Sequence, residues 1–136
     1  ESHKTTQNIK KRGAFTISFA DTVHVVEADY VGLVSANEVE DKLERAGFHT
    51  TKSDFVDAPL IDELPMTLEC KLIKVNEDGN IIGEIVNVNA DDSVLGEDGM
   101  IDATKLQAIS YDPVHNTYVK MGEKVGNTFS DGANLE

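Results

Sequence analysis

The residues with most chemistry to offer stand together at the start of the chain. Ser2-His-Lys-Thr5 brings two hydroxyls and a lysine to the point where Ser2 reads as an N-cap. The segment His3 to Arg12 then reads as a short helix stopped by Gly13. The first turn of a helix has backbone N–H groups with no intrahelical acceptor and carries the positive end of the helix dipole. Such a turn is suited to a phosphate dianion. A plain Ser-capped helix that binds nothing has the same pattern, so the segment alone leaves both readings open.

Other chemistries find little support. His3, His24, His49 and His115 are scattered without metal-ligand spacing and read as surface residues, so no metal is expected. Asp91-Asp-Ser-Val-Leu-Gly-Glu-Asp-Gly99 is acidic, but its oxygens do not fall at the positions of a calcium loop. Nucleotide-binding glycine loops and a nucleophile elbow are absent. The single cysteine, Cys70, excludes an internal disulfide and lies in an apolar run, where a small half-buried core residue is expected.

The formal net charge of −13 argues against nucleic acid, whose phosphates are held by clustered Lys and Arg. It also disfavours an anionic membrane surface. No apolar run approaches the ~18 residues of a membrane span and no signal peptide opens the chain, so a cytoplasmic protein is expected. A phosphorylated small ligand stays compatible where local donors override the field.

The elements that would position the first segment follow from periodicity. Ala14 to Phe19 alternates, with Phe15, Ile17 and Phe19 on one face of a half-buried strand. A second helix is expected from Thr22 to Leu33, capped by Asp21, with Val23, Val26, Tyr30 and Leu33 as its apolar stripe. A third is expected from Asn37 to Ala46, ended by Gly47, with Glu38 and Lys42 at the favourable i, i+4 spacing. Phe48 to Pro65 reads as a connector.

Met66 to Asn76 and Ile81 to Asn89 flank an Asp78-Gly79 turn and read as a long antiparallel hairpin, with a bulge or close backbone approach at Gly83. A one-turn helix at Asp102 to Leu106 and strands at Gln107 to Ser110 and Thr117 to Met121 follow. The tail from Gly122 is small and polar. The order predicts one domain over residues 1–136, mainly β with flanking helices, built as an antiparallel sheet or barrel.

Several blocks in order carry a resemblance. They are Ser2-His-Lys-Thr-Thr-Gln-Asn-Ile9 with Gly13-Ala-Phe15, Asp29-Tyr-Val-Gly-Leu-Val-Ser35, and Asp41-Lys-Leu-Glu-Arg-Ala-Gly47. Ala58-Pro-Leu-Ile-Asp-Glu-Leu-Pro65, Leu68-Glu-Cys-Lys-Leu72, Ile82-Gly-Glu-Ile-Val-Asn-Val88, Asp98-Gly-Met-Ile-Asp102 and Tyr118-Val-Lys-Met-Gly-Glu-Lys-Val-Gly126 complete the set.

Together they resemble the flavin reductase-like family of FMN-binding split barrels, and most of all its flavoredoxin-like subgroup. The resemblance implies a split β-barrel that binds FMN non-covalently within a homodimer and transfers electrons, with NAD(P)H as hydride donor. It implies Ser2 and Thr5 as phosphate contacts, with Lys4 and Lys42 as charge partners, and it assigns no catalytic residue. The alternative is a non-catalytic split-barrel flavin carrier or interaction module.

Ala36-Asn37 stands where many members have Gly-Arg, and the family's opening strands have no counterpart here. The domain is therefore expected to be N-terminally incomplete. The strand at Ala14 is expected either to pair with residues outside the sequence or to leave a bare edge with Phe15, Ile17 or Phe19 exposed.

Overall fold

A computed structural model describes residues 3–135. Ser2, the expected cap and phosphate contact, lies outside the described residues. The first helix, α1 (Lys4–Arg12), stops where expected: Gly13 takes the left-handed conformation (φ 65°) and its N–H returns to the Ile9 carbonyl at 2.8 Å. Lys10, Lys11 and Arg12 in the last turn complement the negative end of the helix dipole.

The chain turns directly into β1 (Ala14–Ser18), which pairs antiparallel with β4 (Met66–Val75). β4 in turn pairs antiparallel with β5 (Ile81–Ala90), giving a three-stranded sheet of order β1-β4-β5. The hairpin expectation holds. Its turn is closed by Asn76 and Asn80, with Gly79 at φ 88° as the Asp-Gly signal demands. The Gly83 expectation holds too: the ladder shifts register between Leu72 and Lys74, and a Cβ at Gly83 would lie 2.5 Å from the Phe15 ring.

Elsewhere the structure corrects the sequence reading. The second helix, α2 (Val25–Leu33), starts three residues later than expected. Asp21 does not cap it; its carboxylate accepts the Val23 and His24 N–H groups and pairs with His24 Nδ1 at 2.7 Å, in a buried turn bridged to Ala108. That partnership also makes His24 a half-buried residue and not a surface one.

The expected stripe of α2 points away from the described core, with Val23, Val26 and Leu33 all exposed. The helix approaches the cleft described below through Ala28 and Val31. The third helix shrinks to one turn, α3 (Lys42–Arg45), because Ser35 winds residues 35–39 into turns of their own.

The expected connector contains a ribbon, β2 (Thr50–Lys52) against β3 (Pro59–Ile61). α4 (Ala103–Leu106) is capped by Asp102, and a second ribbon joins β6 (Ile109–Asp112) to β7 (Thr117–Lys120). Gln107, expected to open that strand, instead adopts a left-handed conformation (φ 49°) at the end of α4.

Two small clusters form the core: Ala14, Val56 and Ala58 with Val86, and Val94, Leu106 and Ala108 with Phe19, Met66 and Ala90. Cys70 is fully buried, deeper than expected, and burial pushes its thiol pKa up. The free edge of β1 has no partner strand among the described residues, and Ile17 is 46% exposed. Ile85 and Val88, on the same sheet face, are exposed as well.

Gly13→Ala is expected to destabilise the protein by about 1–2 kcal/mol, because a Cβ is disfavoured in the left-handed region. Urea unfolding measures this; an unchanged midpoint would mean that α1 can end in another way.

Candidate functional site

One face of α1, formed by Lys4, Thr5, Asn8, Ile9 and Arg12, lines a cleft of about 600 Å³. At 1.5 Å per residue the nine-residue helix makes this wall about 13 Å long. The floor is the small-residue face of β1, Ala14, Thr16 and Ser18, continued by Ala20. Val31, Ala36, Lys42, Leu43 and Phe48 stand opposite, while Asp57, Ala58 and Pro59 close the far end.

A second cleft of about 320 Å³ opens beside the start of α1, between His3, Thr6, Val34 and Ser35. Lys4, Thr5, Val31, Ala36 and Lys42 belong to both clefts. Three of the four residues assigned by resemblance, Lys4, Thr5 and Lys42, therefore converge where the two clefts meet.

Each is held differently. Lys4 and Thr5 are the first two residues of α1, whose opening N–H groups have no intrahelical acceptor and whose first turn holds no acidic residue. Lys42 does not pair with Glu38. Its ammonium donates to the Val31 carbonyl at 2.8 Å and the Val34 carbonyl at 3.1 Å, at the C-terminal end of α2. It is half-buried, not a freely solvated surface lysine, and an ammonium has three donors. Two cations, a hydroxyl and a helix start thus gather at this junction in a protein of net charge −13, with Glu40 also on the lining of the larger cleft. Among the described residues no cluster of His, Cys, Asp or Glu is arranged to hold a metal.

Two features of the site escaped the sequence reading. The spacing of Lys4, Asn8 and Arg12 puts them on one helical face, a signal that was present but unused. The far wall depends on contacts between distant segments: Arg12 Nη1 meets both Asp57 oxygens at 3.0 and 2.9 Å, and Thr16 Oγ donates to the Pro59 carbonyl at 2.6 Å. No local pattern announces either.

Residues 1–110 match the model of the flavin reductase like domain. The flavoredoxin of Desulfovibrio vulgaris (Miyazaki F) superposes with a TM-score of 0.92 at 39% identity, over 97% of this chain and 72% of its own. The flavoredoxin from Methanosarcina acetivorans gives 0.89 at 27% identity, over 100% of this chain and 73% of its own. A protein of Halalkalibacterium halodurans is 30% identical over 128 residues, covering 88% of this chain. The chain spans 60% of that curated relative's length.

The chain belongs to the flavin reductase-like family. Its antiparallel sheets with flanking helices are those of a split barrel, similar to the flavoredoxins. No helix among the described residues is long and apolar enough to cross a membrane.

The ribbon behind the far wall carries a titratable pair, His49 and Glu63. Its base is closed by Asp62 N–H to the His49 carbonyl and by His49 Nδ1 to Glu63 at 2.5 Å. The hydrogen bond and charge of Glu63 raise the His49 pKa. Desolvation pushes Glu63 up, but hydrogen bonds from the His49 side chain and backbone outweigh it and leave Glu63 lowered.

A raised histidine stabilises fully below its ordinary value, and that contribution fades as pH rises through the raised one. A lowered carboxylate stabilises above its ordinary value, and its contribution fades as pH falls. The pair is therefore expected to hold best from about pH 4.5 to about pH 6.5. Following the His49 ring by NMR checks this. Glu63→Gln should return its titration to the ordinary histidine range, and an unmoved titration would mean that the pair does not form.

Proposed function

We propose that the paired clefts bind FMN non-covalently and that the protein is a flavoredoxin-like electron-transfer flavoprotein, an oxidoreductase of the cytoplasm that accepts hydride from NAD(P)H. The observation that carries the reading is the convergence of Lys4, Thr5 and Lys42 at the start of α1, where the smaller polar cleft opens into the larger one. A phosphate dianion there meets the amides of the first turn, the Thr5 hydroxyl and two ammonium groups. The larger cleft, of about 600 Å³, is in the usual range for an organic cofactor. Its floor of Ala14, Thr16, Ser18 and Ala20 lets a flat ring system approach the sheet.

When bound, the flavin supplies the redox chemistry. The chain supplies orientation, charge compensation and exclusion of water. Membership of the flavin reductase-like family supports flavin as the cofactor, and the likeness to flavoredoxins supports electron transfer as its use. In this reading Ser2 joins Thr5 at the phosphate.

The same reading places the chain in a homodimer. Val26 and Leu33 on α2, and Ile17, Ile85 and Val88 on the sheet, leave apolar surface that a second copy would cover.

Two measurements test the proposal. Thr5→Val removes one hydrogen bond to a charged group, which is worth about 1.5–3 kcal/mol, or about ten- to hundredfold in FMN affinity. Riboflavin, which lacks the phosphate, should bind the variant and the wild type alike. An FMN titration that Thr5→Val leaves unchanged would move the phosphate elsewhere. Light scattering at micromolar concentration is expected to give twice the chain mass, and a monomer would remove the dimer from the reading.

A further inference from the structure

Beside the cleft floor, on the same face of the sheet as Thr16, lies a carboxyl group for which the flavin reading has no use. Glu69, on β4, is 1% exposed, more deeply buried than any member of the two apolar clusters. It sits opposite Thr16 on β1 and Asn87 on β5. One of its oxygens accepts the Ser53 hydroxyl at 2.5 Å, and the other accepts the Asn87 side-chain amide. Both partners are uncharged.

Ser53, 4% exposed, explains the arrangement. Its Oγ accepts the N–H of Phe55 at 2.9 Å and of Val56 at 3.0 Å. A hydroxyl has two lone pairs and one proton, so with both lone pairs used the proton must find an acceptor. Glu69 is that acceptor. The backbone of Ser53 meanwhile donates to the Ala58 carbonyl, which closes residues 53–58 into a turn wound around the serine. The residues leaving that turn, Asp57, Ala58 and Pro59, form the far wall of the larger cleft.

Beside the packing of Val56 and Ala58 on Ala14 and the β2–β3 pairing, three side-chain links hold this wall. The Arg12–Asp57 pair is exposed, at 55% and 52%, and solvent and salt weaken it. Thr16 to the Pro59 carbonyl is a single neutral bond. The Ser53–Glu69 link is buried, where no solvent competes for either partner.

We propose that Glu69 is a positioning residue of the ligand site: by accepting the Ser53 hydroxyl it fixes the 53–58 turn as the wall against which the ring end of the ligand packs. The proposal rests on the flavin reading for the identity of the ligand, and it concerns the ring and not the phosphate. Glu69 and Thr5 thus govern opposite ends of one cleft.

The test compares Glu69→Met, which keeps the volume and removes the acceptor, with Glu69→Gln, which keeps an acceptor for Ser53, and with Ser53→Ala. In the ligand-free protein, amide exchange at Phe55 and Val56 should speed up at least about tenfold in Glu69→Met and Ser53→Ala, while Glu69→Gln stays near wild type. Amides of the β4–β5 ladder should keep their protection. Riboflavin and FMN affinity should both fall by about tenfold in Glu69→Met and in Ser53→Ala, and combining the two should cost no more than either alone.

Unchanged exchange at Phe55 and Val56 overturns the proposal, as does uniform loss of protection across the sheet, which makes Glu69 a residue of general stability. Faster exchange with unaltered riboflavin affinity overturns it too. If Glu69→Met fails to fold, the riboflavin affinity of Ser53→Ala decides, because its Phe55 and Val56 amides lose their acceptor whatever Glu69 does. If the wild type binds neither flavin, the flavin reading fails by itself, and the exchange arm still decides whether the turn depends on Glu69.

Discussion

β4 is hydrogen-bonded along both edges, to β1 over Ala14–Ser18 and to β5 from Met66 to Val75, and the floor and far wall of the cleft are referred to it. β1 sets where α1 must end, because only Gly13 separates helix from strand. Glu69, near the middle of β4, reaches the turn that carries the far wall. Met66, at its start, packs on the cluster beneath α4. A strand paired on both sides has its backbone groups satisfied and cannot slip register without turning every side chain to the opposite face. That rigidity lets thinly packed pieces, such as a one-turn helix and a three-residue ribbon, hold defined positions.

Electrostatics then decides what the cleft can accept. The overall charge of −13 repels anions, so an anion site must be made locally. In the proposed reading opposite helix ends supply it. The start of α1 offers unpaired N–H groups, and the C-terminal end of α2 offers carbonyls that hold the Lys42 ammonium. Lys42 therefore serves two structures at once. It satisfies carbonyls that α2 leaves without intrahelical donors, and it brings positive charge to the rim where the two clefts join.

Features written in short stretches of sequence were readable from it. α1 with its Gly13 stop, the long hairpin with its Asp-Gly turn, and the close approach at Gly83 each depend on a few adjacent residues or on one strict period. The helix proposed over Asn37 to Ala46 failed because the Ser35 side chain and carbonyl offered the backbone competing turns, which a count of apolar spacings does not weigh. The β2–β3 ribbon was hidden because three-residue strands carry almost no period. Of the site, Lys4 and Thr5 were visible as a helix start, and Lys42 was visible only through resemblance. Ser53 and Glu69 gave no signal, since their roles exist only once strands distant in sequence lie side by side.

β1 shows what the binary pattern leaves out about function. Its large residues, Phe15 and Ile17, fall on one face, and that pattern ordinarily marks the side turned to the core. In the structure the opposite face, Ala14, Thr16 and Ser18, lies under α1 and the 53–58 turn, with Ala14 buried, while Ile17 is open. The reason is spatial. A cleft floor must let a ligand and a neighbouring wall come close to the sheet, and only small side chains leave that room. The hydroxyls on this face are also spoken for, Thr16 by the Pro59 carbonyl and Ser18 by Thr67, so the floor presents no unpaired hydroxyl to what lies above it. A strand whose polar-looking face is small and internally bonded is thus better read as the floor of a site than as a solvent face.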